Sequence, residues 1–131
     1  MKPTTVISVR GRKRAELEAD PDFVYVGRRV RYGDWPDTIW GNPFKPAGKT
    51  KAALTECFRK FRHALKSSVE PRFVRMRERL HQLRGRKIGC WCGEWKPGEP
   101  EIPCHACVLA VAANELDDAG LIVTDDDGEA D

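Results

Sequence analysis

The sequence predicts a small α/β domain, a partly parallel sheet flanked by about three helices, with a Cys/His metal site at a strand end and a helix N-terminus. Three observations carry this. Strand-like and helix-like segments alternate along the 131 residues, the order that builds parallel βαβ units. Hydrophobic residues make up 40% of the chain, which is ordinary for a globular protein once the 11 glycines are added. Four of the five cysteines lie between Cys90 and Cys107, where predicted elements meet.

Val6 to Val9 is a short run rich in β-branched residues, and Phe23-Val24-Tyr25-Val26 is a second that stops at Gly27; both read as strands. Arg10 to Asp22 between them is a highly charged connector. From Gly27 to Gly48 no period holds, and four Gly, three Pro and two Trp mark a long structured loop, a feature compact domains keep mainly for function. Thr50 is suited to cap a helix whose apolar stripe is Leu54, Cys57, Phe58, Phe61 and Leu65, with Arg59, Lys60, Arg62 and Lys66 on the other faces. Pro71 suits the first turn of a second helix, where Phe73, Met76, Leu80 and Leu83 point inward, Arg72, Arg75 and Arg79 outward, and Gly85 ends it. Lys87 to Cys92 reads as a buried strand, and Gly93 to Pro103, with three Pro and two Gly, as an ordered loop. Cys104 to Leu116 reads as a third helix, and Leu121 to Thr124 as an edge strand. The expected domain is residues 1–116, followed by an acidic, flexible tail at 117–131.

Charge is unevenly spread. All 23 Lys and Arg precede Asp117, while seven of the 20 acidic residues lie from there onward, so the body is net +10 and the tail −7. A body this basic attracts polyanions, phosphate esters or an acidic partner, and its own tail is one such partner. No apolar run approaches the roughly 20 residues that span a bilayer, and the N-terminus has no secretory core, so a soluble, cytoplasmic protein is expected. An odd number of cysteines without an export signal argues against a disulfide framework and for metal or redox chemistry.

Cys90 and Cys92, two apart on a strand, would project to one face with α-carbons roughly 7 Å apart. Cys104 and Cys107 have the C-x-x-C spacing of half a zinc knuckle. Spacing alone therefore favours a closed zinc site of Cys90, Cys92, Cys104 and Cys107. An alternative set takes His105 with Cys104 and leaves Cys107 in the core. Cys57, on an apolar helical stripe, reads as a core residue. Cys92-Gly93-Glu94 with Pro103-Cys104-His105-Ala106-Cys107 also matches the letters of a zinc deaminase, but only nine residues rich in Pro and Gly separate Glu94 from Cys104, too few for the helix and strand that such a site places between them.

The loop after the second strand is the other constellation. Gly27 would let the backbone turn sharply, Arg28 offers a planar fork for phosphate or carboxylate, and Trp40 with Asn42 offers a stacking face and an amide suited to a base edge, so Gly27, Arg28, Trp40, Gly41 and Asn42 form the candidate ligand loop. If the strands at 23–27 and 86–92 run parallel, this loop and the one after Cys92 open on the same sheet edge, where parallel sheets bind ligands.

Val-Tyr-Val-Gly-Arg at 24–28, Trp-Gly-Asn-Pro-Phe at 40–44, Ile-Gly-Cys-Trp-Cys at 88–92 and Cys104-His105 followed by Val108-Leu109, in this order, resemble the domain-of-unknown-function family numbered 4326, small proteins of bacteria and bacteriophages. The resemblance spans roughly Thr5 to Leu116. It implies that Gly27, Arg28, Trp40, Gly41, Asn42, Pro43, Cys90, Trp91, Cys92, Cys104 and His105 belong to the family pattern, and it favours Cys90, Cys92, Cys104 and His105 as ligands. Cys107 departs from that pattern.

Two functions are in competition, and the residues leave open whether either involves catalysis. The first is a zinc-binding protein that binds or processes a nucleotide, modified base or nucleic-acid end, with Arg28 on phosphate and Trp40 and Asn42 on the base. The second is a basic nucleic-acid-binding module with a structural zinc and an autoinhibitory acidic tail, in which Arg10, Arg12, Lys13, Arg14, Arg72, Arg75 and Arg79 contact phosphates and an exposed Trp35 or Trp95 stacks on bases. A host protein bound through charge is a further expected partner class.

Overall fold

Three short strands form the sheet of this computed structural model, which describes residues 2–27, 30 and 35–116. β3 (Lys87–Cys90) lies between β1 (Thr5–Ser8) and β2 (Phe23–Tyr25), parallel to both. Ile88 is level with Val6 and Val24, and Gly89 with Ile7 and Tyr25. Because side chains alternate along a strand, this register sorts them onto two faces. Val6, Val24 and Ile88 join the main core, while Ile7, Phe23 and Tyr25 join a smaller one with Val9, Leu17 and Trp35. Gly89 is required on that second face, since a β-carbon there would lie 2.6 Å from the Phe23 ring and 2.9 Å from Val9.

The expected α/β class is found, with the three strands paired in parallel and Val6 of β1 also bridged antiparallel to Trp95. Among the described residues, four α-helices accompany the sheet. The extra one, α1 (Arg14–Glu18), lies in the charged connector; its single buried residue, Leu17, leaves no periodic apolar stripe to betray it. α2 (Lys51–Ser67) begins as expected, with Thr50 Oγ1 accepting the Ala53 N–H at 3.1 Å, and buries Cys57, Phe61, Ala64 and Leu65. α3 (Pro71–Arg79) starts on its proline, and a 3₁₀ turn, Leu80–Leu83, completes the inward stripe of Phe73, Met76, Leu80 and Leu83.

Arg77 holds α2 and α3 together. Its guanidinium donates to the carbonyls of Ala64, Leu65 and Ser68 at the end of α2, adding to the Ser68 N–H that already serves Ala64 and supplying a donor where the helix ends. α4 (His105–Asn114) buries Ala106, Cys107, Leu109, Ala110, Ala112 and Ala113, and it packs on β1, β3 and α2. A helix apolar on most sides belongs in the centre of a fold. No helix among the described residues is long and apolar enough to cross a membrane. The expected edge strand Leu121–Thr124 and the acidic tail at 117–131 lie outside the described residues.

Candidate metal centre

Parallel pairing of β2 and β3 puts the ends of both strands, and the loops that leave them, on one edge of the sheet. His105, the first residue of α4, joins the two. Its Nε2 lies 2.8 Å from the Val26 carbonyl oxygen, which can only accept, so Nε2 carries the proton. The ring also meets Phe61 edge-on at 6.1 Å.

At this edge the sulfurs of Cys90, Cys92 and Cys104 lie within 4.8 Å of one another, so that all three could ligate one metal ion. Cys90 is the last residue of β3, and Cys104 is the N-cap of α4, with its side chain turned to Cys90 rather than to the helix amides. The Cys90 and Cys104 sulfurs are 3.1 Å apart. β3 stops at Cys90, two residues short of the expected strand, so a bend and not the strand pleat brings Cys92 to the group. Cys90 and Cys104 are buried and Cys92 is exposed, which opens the cluster to solvent on one side.

Trp91 anchors that bend. Its indole N–H donates to the Tyr25 hydroxyl at 2.9 Å, and its ring and carbonyl are met by Arg10, the guanidinium carbon 5.9 Å from the ring centroid and Nη2 3.2 Å from the oxygen. Tyr25 is in turn stacked on Trp35 at 4.5 Å. Gly27 belongs to the same arrangement. A β-carbon there would lie 2.5 Å from the Tyr25 hydroxyl, so the glycine makes room for the ring that holds Trp91. The chain also bends at Gly27, and it does so without a positive φ.

The three thiols share charge unequally. Bonds from Cys104 first, and from Cys92, hold the Cys90 sulfur far below its ordinary pKa as a thiolate, against the effect of burial. Cys104 is raised, because it donates to Cys90 and Cys92 and is buried. Cys92 is also raised: its bond with Cys104 acts downward, but donation to Cys90 and burial outweigh it. Three thiolates this close need a cation to compensate them, and soft sulfur donors suit a borderline-soft divalent ion. By donor type, spacing and access, the residues fit a metal.

Cys107 is outside the three-sulfur group. It is buried in the main core one helical turn into α4, and burial raises its thiol. His105 is likewise outside the group and is bonded to Val26. Glu94 is exposed and follows the bend without opening a helix, so the deaminase-like letters lack the element that such a site requires.

The loop residues are placed differently from the sequence expectation. Arg28 lies outside the described residues. Trp40 and Asn42 are each only 6% exposed. Trp40 packs in the main core and presents no open stacking face. Asn42 is occupied within the chain: Oδ1 accepts the Phe44 N–H at 2.9 Å, Nδ2 donates to Cys57 Sγ at 3.5 Å, and the Cys57 thiol donates to the Phe44 carbonyl at 3.4 Å. Cys57, expected as plain core, thereby also ties the loop to α2. Thr38 adds a second tie, donating to the Gly27 carbonyl at 2.8 Å and accepting the Trp40 N–H at 3.2 Å. Trp35 and Trp95 are buried, which removes the exposed stacking rings expected of a nucleic-acid module. Gly41 and Asn42 line a groove of about 620 Å³, whose other walls include Asp37, Lys45, Arg72 and Arg75. Sequence reasoning missed it, because nothing local links residues 37–45 to a helix about 30 residues on.

A family model described as Domain of unknown function (DUF4326) matches residues 9–115. No curated protein and no solved structure matches the chain.

Proposed function

This chain belongs to the DUF4326 family, and we propose that it is a zinc-thiolate protein that binds or processes a nucleotide or nucleic-acid end at the carboxyl edge of its sheet. The observation that carries the metal half is the convergence of the Cys90, Cys92 and Cys104 sulfurs within 4.8 Å, with Cys92 exposed. Sulfur donors favour zinc over the oxygen-seeking magnesium and calcium. Three protein ligands leave a fourth coordination position, the arrangement of catalytic sites rather than of closed structural ones, and zinc there would supply Lewis-acid chemistry. The chain's own contribution is positional. Tyr25, Trp91 and Arg10 hold the bend bearing Cys92, and α4 sets Cys104 against Cys90.

The nucleotide half is supported by the two loops leaving adjacent parallel strands on the same edge, where parallel sheets bind such ligands. The net +10 body favours an anionic ligand. X-ray absorption at the zinc edge of the purified protein tests the metal half. Three sulfurs at about 2.3 Å and one lighter atom are expected, and four sulfurs would make the site closed and structural.

A further inference from the structure

The groove between residues 37–45 and α3 brings three cations and one carboxylate together, and the way it is built decides what it suits. Lys45, Arg72 and Arg75 all line it, and all three are exposed. Among the described residues none of them has a carboxylate partner, although Arg14, Arg59, Lys2 and Lys87 elsewhere are each ion-paired. Three unpaired cations around one concavity repel each other, and an anion relieves that repulsion.

The groove's loop wall is also fixed by contacts to the helices behind it. Phe44 stacks on Phe73 of α3 with centroids 6.0 Å apart, fixing the loop to the helix that carries Arg72 and Arg75. The Asn42–Cys57–Phe44 ring of hydrogen bonds fixes the same loop to α2. A preformed wall spares a ligand the cost of ordering it. The Trp-Gly-Asn-Pro-Phe motif therefore builds the groove instead of reading a base.

We infer that this groove binds the phosphate monoester of a nucleoside monophosphate, with Lys45, Arg72 and Arg75 on the phosphate and Asp37 on a sugar hydroxyl or base amino group. The inference rests on the nucleotide reading above and assigns its phosphate site to residues other than the expected Arg28. A volume of about 620 Å³ is that of a small-molecule pocket. Guanidinium groups match phosphate oxygens in a planar, two-pronged geometry, and a dianionic monoester gains more from them than a monoanionic diester does. Asp37 argues against an extended nucleic-acid backbone, whose charges it repels, and suits the hydroxyl and amino donors of a nucleoside.

The test is calorimetric titration of the full, metal-loaded chain with the four deoxynucleoside 5′-monophosphates, the matching nucleosides, inorganic phosphate and an unphosphorylated 12-nucleotide single strand. Monophosphates should bind, nucleosides should bind more weakly, and Arg72→Ala and Arg75→Ala should each weaken monophosphate binding by about tenfold. Both side chains are exposed and make no described bond, so the variants should fold, and circular dichroism checks that. Monophosphate binding that is equal in wild type and both variants overturns the groove while leaving the nucleotide reading in place. Absence of binding to monophosphates and strand alike overturns both, and binding of the 12-nucleotide strand alone overturns the small-ligand assignment.

Discussion

The imidazole of His105 donates from Nε2 to the carbonyl oxygen of Val26, 79 residues earlier, at 2.8 Å. One bond thus fastens the start of α4 to the end of β2, beside the cap position that carries Cys104. It gives His105 a role that does not require it to touch a metal.

Separating those roles is the first prediction. His105→Ala should lower stability by about 1–2 kcal/mol, from the lost bond and the unsatisfied carbonyl, with metal stoichiometry unchanged. Cys104→Ser should instead abolish tight metal binding. Denaturant unfolding with metal analysis of both variants checks this; loss of metal in His105→Ala would return the histidine to the ligand set.

Metal affinity should rise with pH. Cys92 and Cys104 are raised above the ordinary thiol value and so hold their protons at neutral pH, whereas Cys90 is lowered and has already lost its own. Binding to three thiolates therefore displaces protons that the free thiols hold, and affinity should increase by about tenfold or more per pH unit while they are held. Competition against a chromophoric chelator between about pH 6 and 8 measures the slope. A flat profile would mean that the thiols are not the ligands.

The two glycines of the second core face should tolerate no β-carbon. Gly89→Ala must displace the Phe23 ring and Val9, and should cost about 1–3 kcal/mol. Gly27→Ala meets the Tyr25 ring at its hydroxyl, Cζ and Cε1, so its effect should show first in Trp91, which that hydroxyl holds. A shift in tryptophan emission with a smaller loss of stability is expected, and comparing the two unfolding curves tests the order.

Arg77→Ala should destabilise the protein by about 1–3 kcal/mol, since three carbonyls at the end of α2 lose a charged donor together. Arg79→Ala, on the exposed side of α3, should stay within about 0.5 kcal/mol. Equal effects in thermal unfolding would remove the capping role.

Local chemistry made much of this molecule legible in its sequence. The β-branched runs, the Thr50 cap and Pro71 each act within a few residues, and they mark β1, β2, α2 and α3 where they stand. The cysteines could be placed at a strand end and a helix start, because Cys90 and Cys104 sit at those boundaries. What escaped were partners far apart in the chain. Asn42 is buried because Cys57 and Phe44 take its amide, and His105 is bonded because Val26 lies across the edge. α1 escaped for the opposite reason, being too short and too charged to show a period.

The central claim is that Cys90, Cys92 and Cys104 hold one metal ion. Alkylation of the freshly purified chain, followed by mass spectrometry with and without a chelator and alongside metal analysis, tests it most directly. One zinc per chain is predicted, with chelator-dependent protection of those three cysteines and none of Cys57 or Cys107. No metal, with labelling of Cys90, Cys92 and Cys104 indifferent to chelator, would contradict it.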